Sequence, residues 1–228
     1  MKKKAIIVAG GSGTRMNSNL PKQFLHLNGK PILYYSIAAF LNAYPDLEII
    51  LVLPEEYLGD GQEIIDAFFD YSRVQLTVGG RTRFHSVQQG LKLINEDCIV
   101  FVHDAVRCLL TPALIHRCYD AVLEFGSAVP AITPKDSIRL LTENGNDAID
   151  RDQVRLVQTP QVFYSKLLMP AFQIDFKDRF TDEAAVIEAF GLTIHMIEGE
   201  EENIKITRPL DLFLAEKILA NRSAGSVS

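Results

Sequence analysis

A chain of 228 residues, 47% of them hydrophobic, can bury a substantial core as one large domain or two small ones. Its formal net charge of −6 argues against a general nucleic-acid binder, and no apolar run approaches the roughly 18 residues that would span a membrane. Cys98, Cys108 and Cys118 are an odd number without metal-ligand spacing, and read as free thiols in a reducing cytosol.

The basic start Met1-Lys2-Lys3-Lys4 precedes an apolar run of only five residues, Ala5 to Ala9. That is too short for a secretory signal, so a cytoplasmic protein is expected. Ala5-Ile6-Ile7-Val8 is short and continuous, as suits a strand buried on both faces of a parallel sheet. Gly10, Gly11 and Gly13 follow at once, then Arg15, and later Pro21-Lys22-Gln23. Glycines let backbone N–H groups approach a ligand closely; such groups cradle anions, and Arg15 and Lys22 add full positive charge. Pro21 disfavours helix at Leu20, which puts Lys22 on a loop folding back over phosphates. The stretch reads as a triphosphate loop. It is no Walker A, for no Gly-Lys-Ser/Thr occurs, and no dinucleotide fingerprint, for Met16 stands at the third glycine.

Helical periodicity then runs from Pro31, suited to a first helical position, to Asn42. Glu48 to Leu53 is a second buried strand closed by Pro54, Gln62 to Phe69 a helix, and Val74 to Val78 a third strand. Gly79-Gly80-Arg81-Thr82-Arg83 opens another helix, and Cys98 to Val102 is a fourth strand ending in His103-Asp104-Ala105-Val106-Arg107. Thr111-Pro112 caps a helix that stops at Gly126. Strands alternating with helices predict an α/β fold, a doubly wound and mostly parallel sheet with flanking helices, whose ligands lie at the carboxyl ends of strands. All three glycine- or charge-bearing loops fall at such ends.

The alternation breaks at Ser137 to Thr142 and Asp147 to Arg151, which flank Asn144-Gly145, a strong hairpin signal. An isolated two-stranded ribbon is marginal in water, so this projecting β-hairpin, about residues 136–157, is expected to pair with another subunit. Leu156 to Gln161 returns to the core, and Thr181-Asp182-Glu183-Ala184 starts a helix with Thr181 as N-cap and an acidic first turn, ending at Gly191. Thr193 to Ile197 and Asn203 to Thr207 are late strands, Pro209 starts the last helix, and 221–228 is a frayed, disordered tail. No repeat or linker divides residues 1–228, so a single domain is expected.

Gly10-Gly11-Ser12-Gly13-Thr14-Arg15-Met16 followed by Pro21-Lys22-Gln23 resembles nucleotidyltransferases that load a nucleoside monophosphate onto a phosphorylated polyol or sugar. Over about residues 4–220 the chain is similar to the 2-C-methyl-D-erythritol 4-phosphate cytidylyltransferase family. That resemblance implies a Rossmann-like nucleotidyltransferase that takes CTP and a polyol phosphate, and a homodimer formed through the hairpin arm, with Arg151 reaching the neighbour's site. It further implies base contacts from Ala9, Gly10, Gly80 and Ser86, with Arg83 in the same loop, and a second lysine motif around Lys205. Ribitol 5-phosphate cytidylyltransferases share the first loop, His-Asp-Ala-Val-Arg and Gln-Thr-Pro-Gln, while Thr181 to Ala184 and Thr207-Arg208-Pro209 lean toward methylerythritol. Val106, Cys108 and Ser137 depart from the commonest family residues (alanine, proline and threonine), which bears on fine substrate choice.

A phosphate monoester is already mostly dianionic at neutral pH, its second pKa being about 6, so no general base is required. The obstacle is repulsion between that dianion and a triphosphate. Arg15, Lys22, Lys205 and Mg²⁺ (or another divalent cation) are expected to offset it and to stabilise charge on the α-phosphate. Asp104 is the expected metal ligand, since Mg²⁺ takes one or two carboxylates plus substrate phosphates. Asp104, Ala105, Arg107, Ser137, Arg151 and Thr159 are expected on the polyol phosphate side, and His103 reads as a packed core residue.

Overall fold

The computed structural model of the chain describes residues 1–10 and 20–225. Strand β1 (Lys2–Val8) occupies the middle of the sheet. Short strands β2 (His26–Leu27) and β3 (Lys30–Pro31) turn through Asn28 and Gly29, whose φ values of 48° and 78° suit the tight hairpin turns that only glycine and asparagine enter readily. Then come α1 (Ile32–Ala43), β4 (Leu47–Leu53), α2 (Leu58–Phe68), β5 (Val74–Val78), α3 (Arg83–Leu91) and β6 (Cys98–Asp104). They are followed by α4 (Pro112–Phe125), β7 (Ser127–Ile132), β8 (Ile138–Thr142), β9 (Gly145–Ile149), β10 (Leu156–Val157) and β11 (Gln161–Tyr164). Helices α5 (Ser165–Ala171) and α6 (Glu183–Ala189), strand β12 (Met196–Glu198) and helix α7 (Pro209–Gly225) complete the chain.

The main sheet runs β10-β7-β11-β6-β1-β4-β5, with β12 also paired to β7. Strands β6, β1, β4 and β5 are mutually parallel, while β11 lies antiparallel to both β6 and β7. Register pairs Val8 with Asp104 on one side and with Val52 on the other, so three strands finish level with one another. Successive side chains point to opposite faces of a strand. Ile7 accordingly packs with Phe40, Leu51, Phe101 and Leu114 under α1 and α4, while Ile6 packs with Val52, Val87, Val100, Phe163 and Ile187 under α3, α5 and α6. Helices thus cover both faces of a mixed, mostly parallel sheet, as the sequence leads one to expect. A third cluster, including Leu27, Ile32, Val106, Ile206 and Ala215, seats α7 beside the end of β6.

Local chemistry sets the boundaries. Thr111 caps α4 by accepting from the Leu114 N–H, and Gly126, at φ 84°, ends it. Pro31 is extended and stands before α1, not at its first turn, because its backbone pairs with His26 in the small hairpin. Helix α2 starts earlier than expected, Gly61 being a packing residue rather than a breaker: a Cβ there would stand 2.3 Å from Leu53 Cδ1. Asp182, not Thr181, caps α6 through its bond from the Ala185 N–H. Of the two late strands, only β12 forms; Ile206 donates its N–H to the Val106 carbonyl, but 203–207 is otherwise irregular. Helix α7 continues past 221, where a frayed tail is expected, because Arg222 is fastened to Glu202 and to the Leu109 carbonyl. All three cysteines are buried and free, and burial pushes the Cys108 and Cys118 thiols up to about 12. No helix among the described residues is long and apolar enough to cross a membrane.

Candidate active site

At the carboxyl ends of β1 and β6 lies a cavity of roughly 200 Å³. Backbone hydrogen bonds carry β1 into it: Ala9 donates to the Val52 carbonyl, and the Gln23 side-chain amide donates to the Ala9 carbonyl at 2.8 Å. That second bond holds the turn carrying Lys22 against the strand end. Lys22 is largely buried and lines the cavity. Lys205 lines it from the loop before α7, so two lysines drawn from opposite ends of the chain line one crevice.

The opposite wall is the loop before α3. Gly80 donates its N–H to Ser86 Oγ, and Ser86 Oγ in turn lies 3.0 Å from the Thr82 carbonyl and 3.3 Å from that of Gly80. Ser86 therefore spends its one proton shaping the loop, leaving the base contact implied for it to the backbone. Gly80 is required for close approach, since a Cβ there would stand 2.4 Å from His85 Cβ and 2.9 Å from the His85 carbonyl carbon. Ala9, Gly10, Gly80, Arg83, Ser86, Asp104, Lys22 and Lys205 all line this cavity. Gly11, Gly13 and Arg15 lie outside the described residues.

Asp104 is the electrostatic centre. Arg83 Nε is 2.9 Å from Oδ1, and Lys205 Nζ is 2.6 Å from Oδ2. Burial alone would push this carboxyl up, but Arg83 and Lys205 outweigh it and hold Asp104 well below the usual carboxylate range. Arg83 also grips Glu183 with both terminal nitrogens, at 2.5 and 3.0 Å, and Glu183 is fully buried. Burial pushes the Glu183 carboxyl up while Arg83 pulls it back.

A second polar chain lies behind Asp104. His103 is fully buried, and burial brings its imidazole down to about 3, so it is neutral. Its Nε2 is 3.3 Å from the Arg107 carbonyl, which only a donor satisfies, so Nδ1 is left to accept from Thr159 Oγ1 at 3.0 Å. Thr159 Oγ1 itself accepts the Asp104 N–H at 3.1 Å. The Thr159 hydroxyl proton is thus committed to His103, and the residue braces Asp104 from behind.

The remaining expected substrate residues are not gathered at the cavity. Ala105 is fully buried and hydrogen-bonded to Val8 and Ser36 through its backbone. Arg107 donates to the carbonyls of Asn203 and Val157. Its Nε is buried without a hydrogen-bond partner. Ser137 and Arg151 are exposed at the base of the β8–β9 arm, where Arg151 Nη1 donates to the Lys135 carbonyl. Residue-type reasoning overlooks Gln23 as a loop anchor and Glu183 as a partner of Arg83. For Gln23 the signal is its place in Pro-Lys-Gln, and for Glu183 it is a carboxylate directly after the helix cap.

Residues 4–221 match the model of the 2-C-methyl-D-erythritol 4-phosphate cytidylyltransferase family. A relative of that name from Bacteroides fragilis is 43% identical over 220 residues, covering 96% of this chain and all of the relative. The enzyme of the same name from Bacteroides thetaiotaomicron is 42% identical over 219 residues, with the same coverage. Among solved structures, 4-diphosphocytidyl-2C-methyl-D-erythritol synthase from Anaerococcus prevotii is 27% identical with a TM-score of 0.83, covering 96% of each chain. The 2-C-methyl-D-erythritol 4-phosphate cytidylyltransferase of Thermus thermophilus is 30% identical with a TM-score of 0.76, covering 96% of this chain and 98% of that one. With the family model spanning nearly its full length, this chain belongs to the 2-C-methyl-D-erythritol 4-phosphate cytidylyltransferase family.

Proposed function

We propose that this chain transfers CMP from CTP to 2-C-methyl-D-erythritol 4-phosphate, giving CDP-methylerythritol and pyrophosphate in isoprenoid precursor synthesis. The observation that carries the reading is the convergence of Lys22, Lys205, Asp104 and the Gly80 loop on one cavity. A phosphate oxygen of the polyol attacks the α-phosphorus, and the bond to the bridging oxygen of the β-phosphate breaks, so the electron pair leaves with pyrophosphate. The nucleophile is already a dianion, and the chain needs to supply only positive charge and alignment. Lys22 and Lys205 supply the charge, together with Arg15 of the first loop, and Gly11 and Gly13, likewise outside the described residues, are assigned to the triphosphate. Ala9, Gly10 and Gly80 present main-chain groups to cytosine.

Asp104 suits a divalent cation such as Mg²⁺. Each of its oxygens takes one cationic partner, and a carboxylate oxygen has a further lone pair to give. Among the described residues no three His, Cys, Asp or Glu side chains gather as a cage, which fits an ion held by one carboxylate and substrate phosphates. When bound, such an ion supplies neutralisation of the triphosphate.

The exposed β8–β9 arm is assigned to a homodimer, in which Arg151 reaches the neighbour's polyol phosphate. Incubation with CTP, Mg²⁺ and each polyol phosphate tests the reaction by pyrophosphate release. Turnover with methylerythritol phosphate is expected; turnover with ribitol 5-phosphate alone would overturn the choice of substrate.

A further inference from the structure

We propose that Glu183 is a positioning residue for the transfer: by occupying both terminal nitrogens of Arg83 it confines Arg83 to a single contact with Asp104, which leaves Asp104 an oxygen with which to hold Lys205 at the cavity. The inference rests on the cytidylyltransferase reading and extends it to a residue outside the cavity lining.

A guanidinium can meet a carboxylate bidentately through its two terminal nitrogens or through Nε and one of them. Here the terminal pair is taken by Glu183, at 2.5 and 3.0 Å, so only Nε remains for Asp104 Oδ1, at 2.9 Å. Asp104 Oδ2 is thereby left to Lys205 Nζ, at 2.6 Å. Without Glu183, Arg83 is free to turn its other edge and engage both oxygens of Asp104. Lys205 then loses its anchor.

Glu183 is held as its task requires. Gln161 of β11, itself fully buried, donates to Asp182 Oδ2 at 2.9 Å and accepts the Ala184 N–H at 2.8 Å. One side chain therefore fixes the residues on either side of Glu183. Capping alone does not need this, for Asp182 already caps α6. Nor does stability, since a buried ion pair is often replaced by apolar groups at no net cost. Four alternating charges, Glu183, Arg83, Asp104 and Lys205, thus run from the buried start of α6 to the cavity.

The test measures pyrophosphate release and the thermal midpoint for the wild type, Glu183→Gln, Lys205→Ala and the double variant. Glu183→Gln is expected to lower kcat about tenfold or more while KM for CTP moves less than about threefold. In the Lys205→Ala background the same change is expected to cost less than about twofold, because the group being positioned is gone. A native kcat in Glu183→Gln, or an equal loss in both backgrounds, overturns the assignment. Should Glu183→Gln fail to fold, Glu183→Asp keeps the buried negative charge but is one methylene too short to occupy both terminal nitrogens of Arg83. A folded protein with kcat still down about tenfold or more supports the positioning role, and one with native kcat contradicts it. Absence of turnover in the wild type would reject the proposed function and this inference together, whereas the outcomes above bear on the inference alone.

Discussion

Lys205 Nζ stands 2.6 Å from Asp104 Oδ2, so the loop before the last helix is fastened to the end of the strand beside β1. The lysine side chain is nevertheless 40% exposed, against 11% for that of Asp104. It is anchored at one edge and open to solvent at the other. Lys205→Ala is expected to lower kcat on the order of 10²-fold or more with CTP affinity retained, as for loss of one transition-state donor. Titration calorimetry and pyrophosphate release separate the two quantities, and an unchanged kcat would remove Lys205 from the mechanism.

His103 makes the fold sensitive to mild acid. Unfolded, its imidazole takes a proton below about 6.5; folded, burial prevents this until about 3. Between those values the unfolded state binds the extra proton, so stability falls as pH falls, by up to about 1.4 kcal/mol per pH unit from this group. Thermal midpoints between pH 7 and pH 5 are expected to drop for the wild type and to drop less steeply for His103→Gln. Parallel slopes would contradict the neutral, buried assignment.

Gly80 tests the loop opposite the lysines. Because an added Cβ would meet the His85 backbone, the loop must move if Gly80 acquires a side chain. Gly80→Ala is expected to raise KM for CTP about tenfold or more with a smaller effect on kcat, as for lost ground-state binding. An unaltered KM in steady-state kinetics would show that this loop does not contact the nucleotide.

Much of this architecture is written in local pattern. The strands that became β1, β4 and β6 are largely continuous apolar runs because helices bury both of their faces, and the carboxyl ends of β1, β5 and β6 carry the glycines and charges. Strand β7 is harder to see, since Pro130 sits within it and proline reads against an interior strand; its carbonyl still accepts the Gln158 N–H. The partnership of Arg83 with Glu183 is invisible from spacing because it joins residues far apart in sequence. Thr159 is legible as polar and near the site, but only geometry reveals that its proton goes to His103. The lesson lies in the residues: charge type and loop position are local, whereas the pairing of charges is set by the sheet order.

The arm offers a separate test. Strands β8 and β9 pair with each other, from Ile138 opposite Ile149 to Thr142 opposite Gly145, and Leu141 is 82% exposed. An isolated two-stranded ribbon with an uncovered leucine calls for a partner. Sedimentation at micromolar concentration is expected to give a dimer for the wild type and a monomer with reduced turnover for Leu141→Asp. A wild-type monomer that is fully active would contradict the role given to Arg151.

The convergence of Lys22 and Lys205 on a reacting triphosphate is tested most directly by single-turnover pyrophosphate release from Lys22→Ala and Lys205→Ala, each saturated with CTP and methylerythritol phosphate. Both variants are expected to react on the order of 10²-fold or more slowly than the wild type. Wild-type rates in either would mean that the two lysines share a crevice without sharing the chemistry.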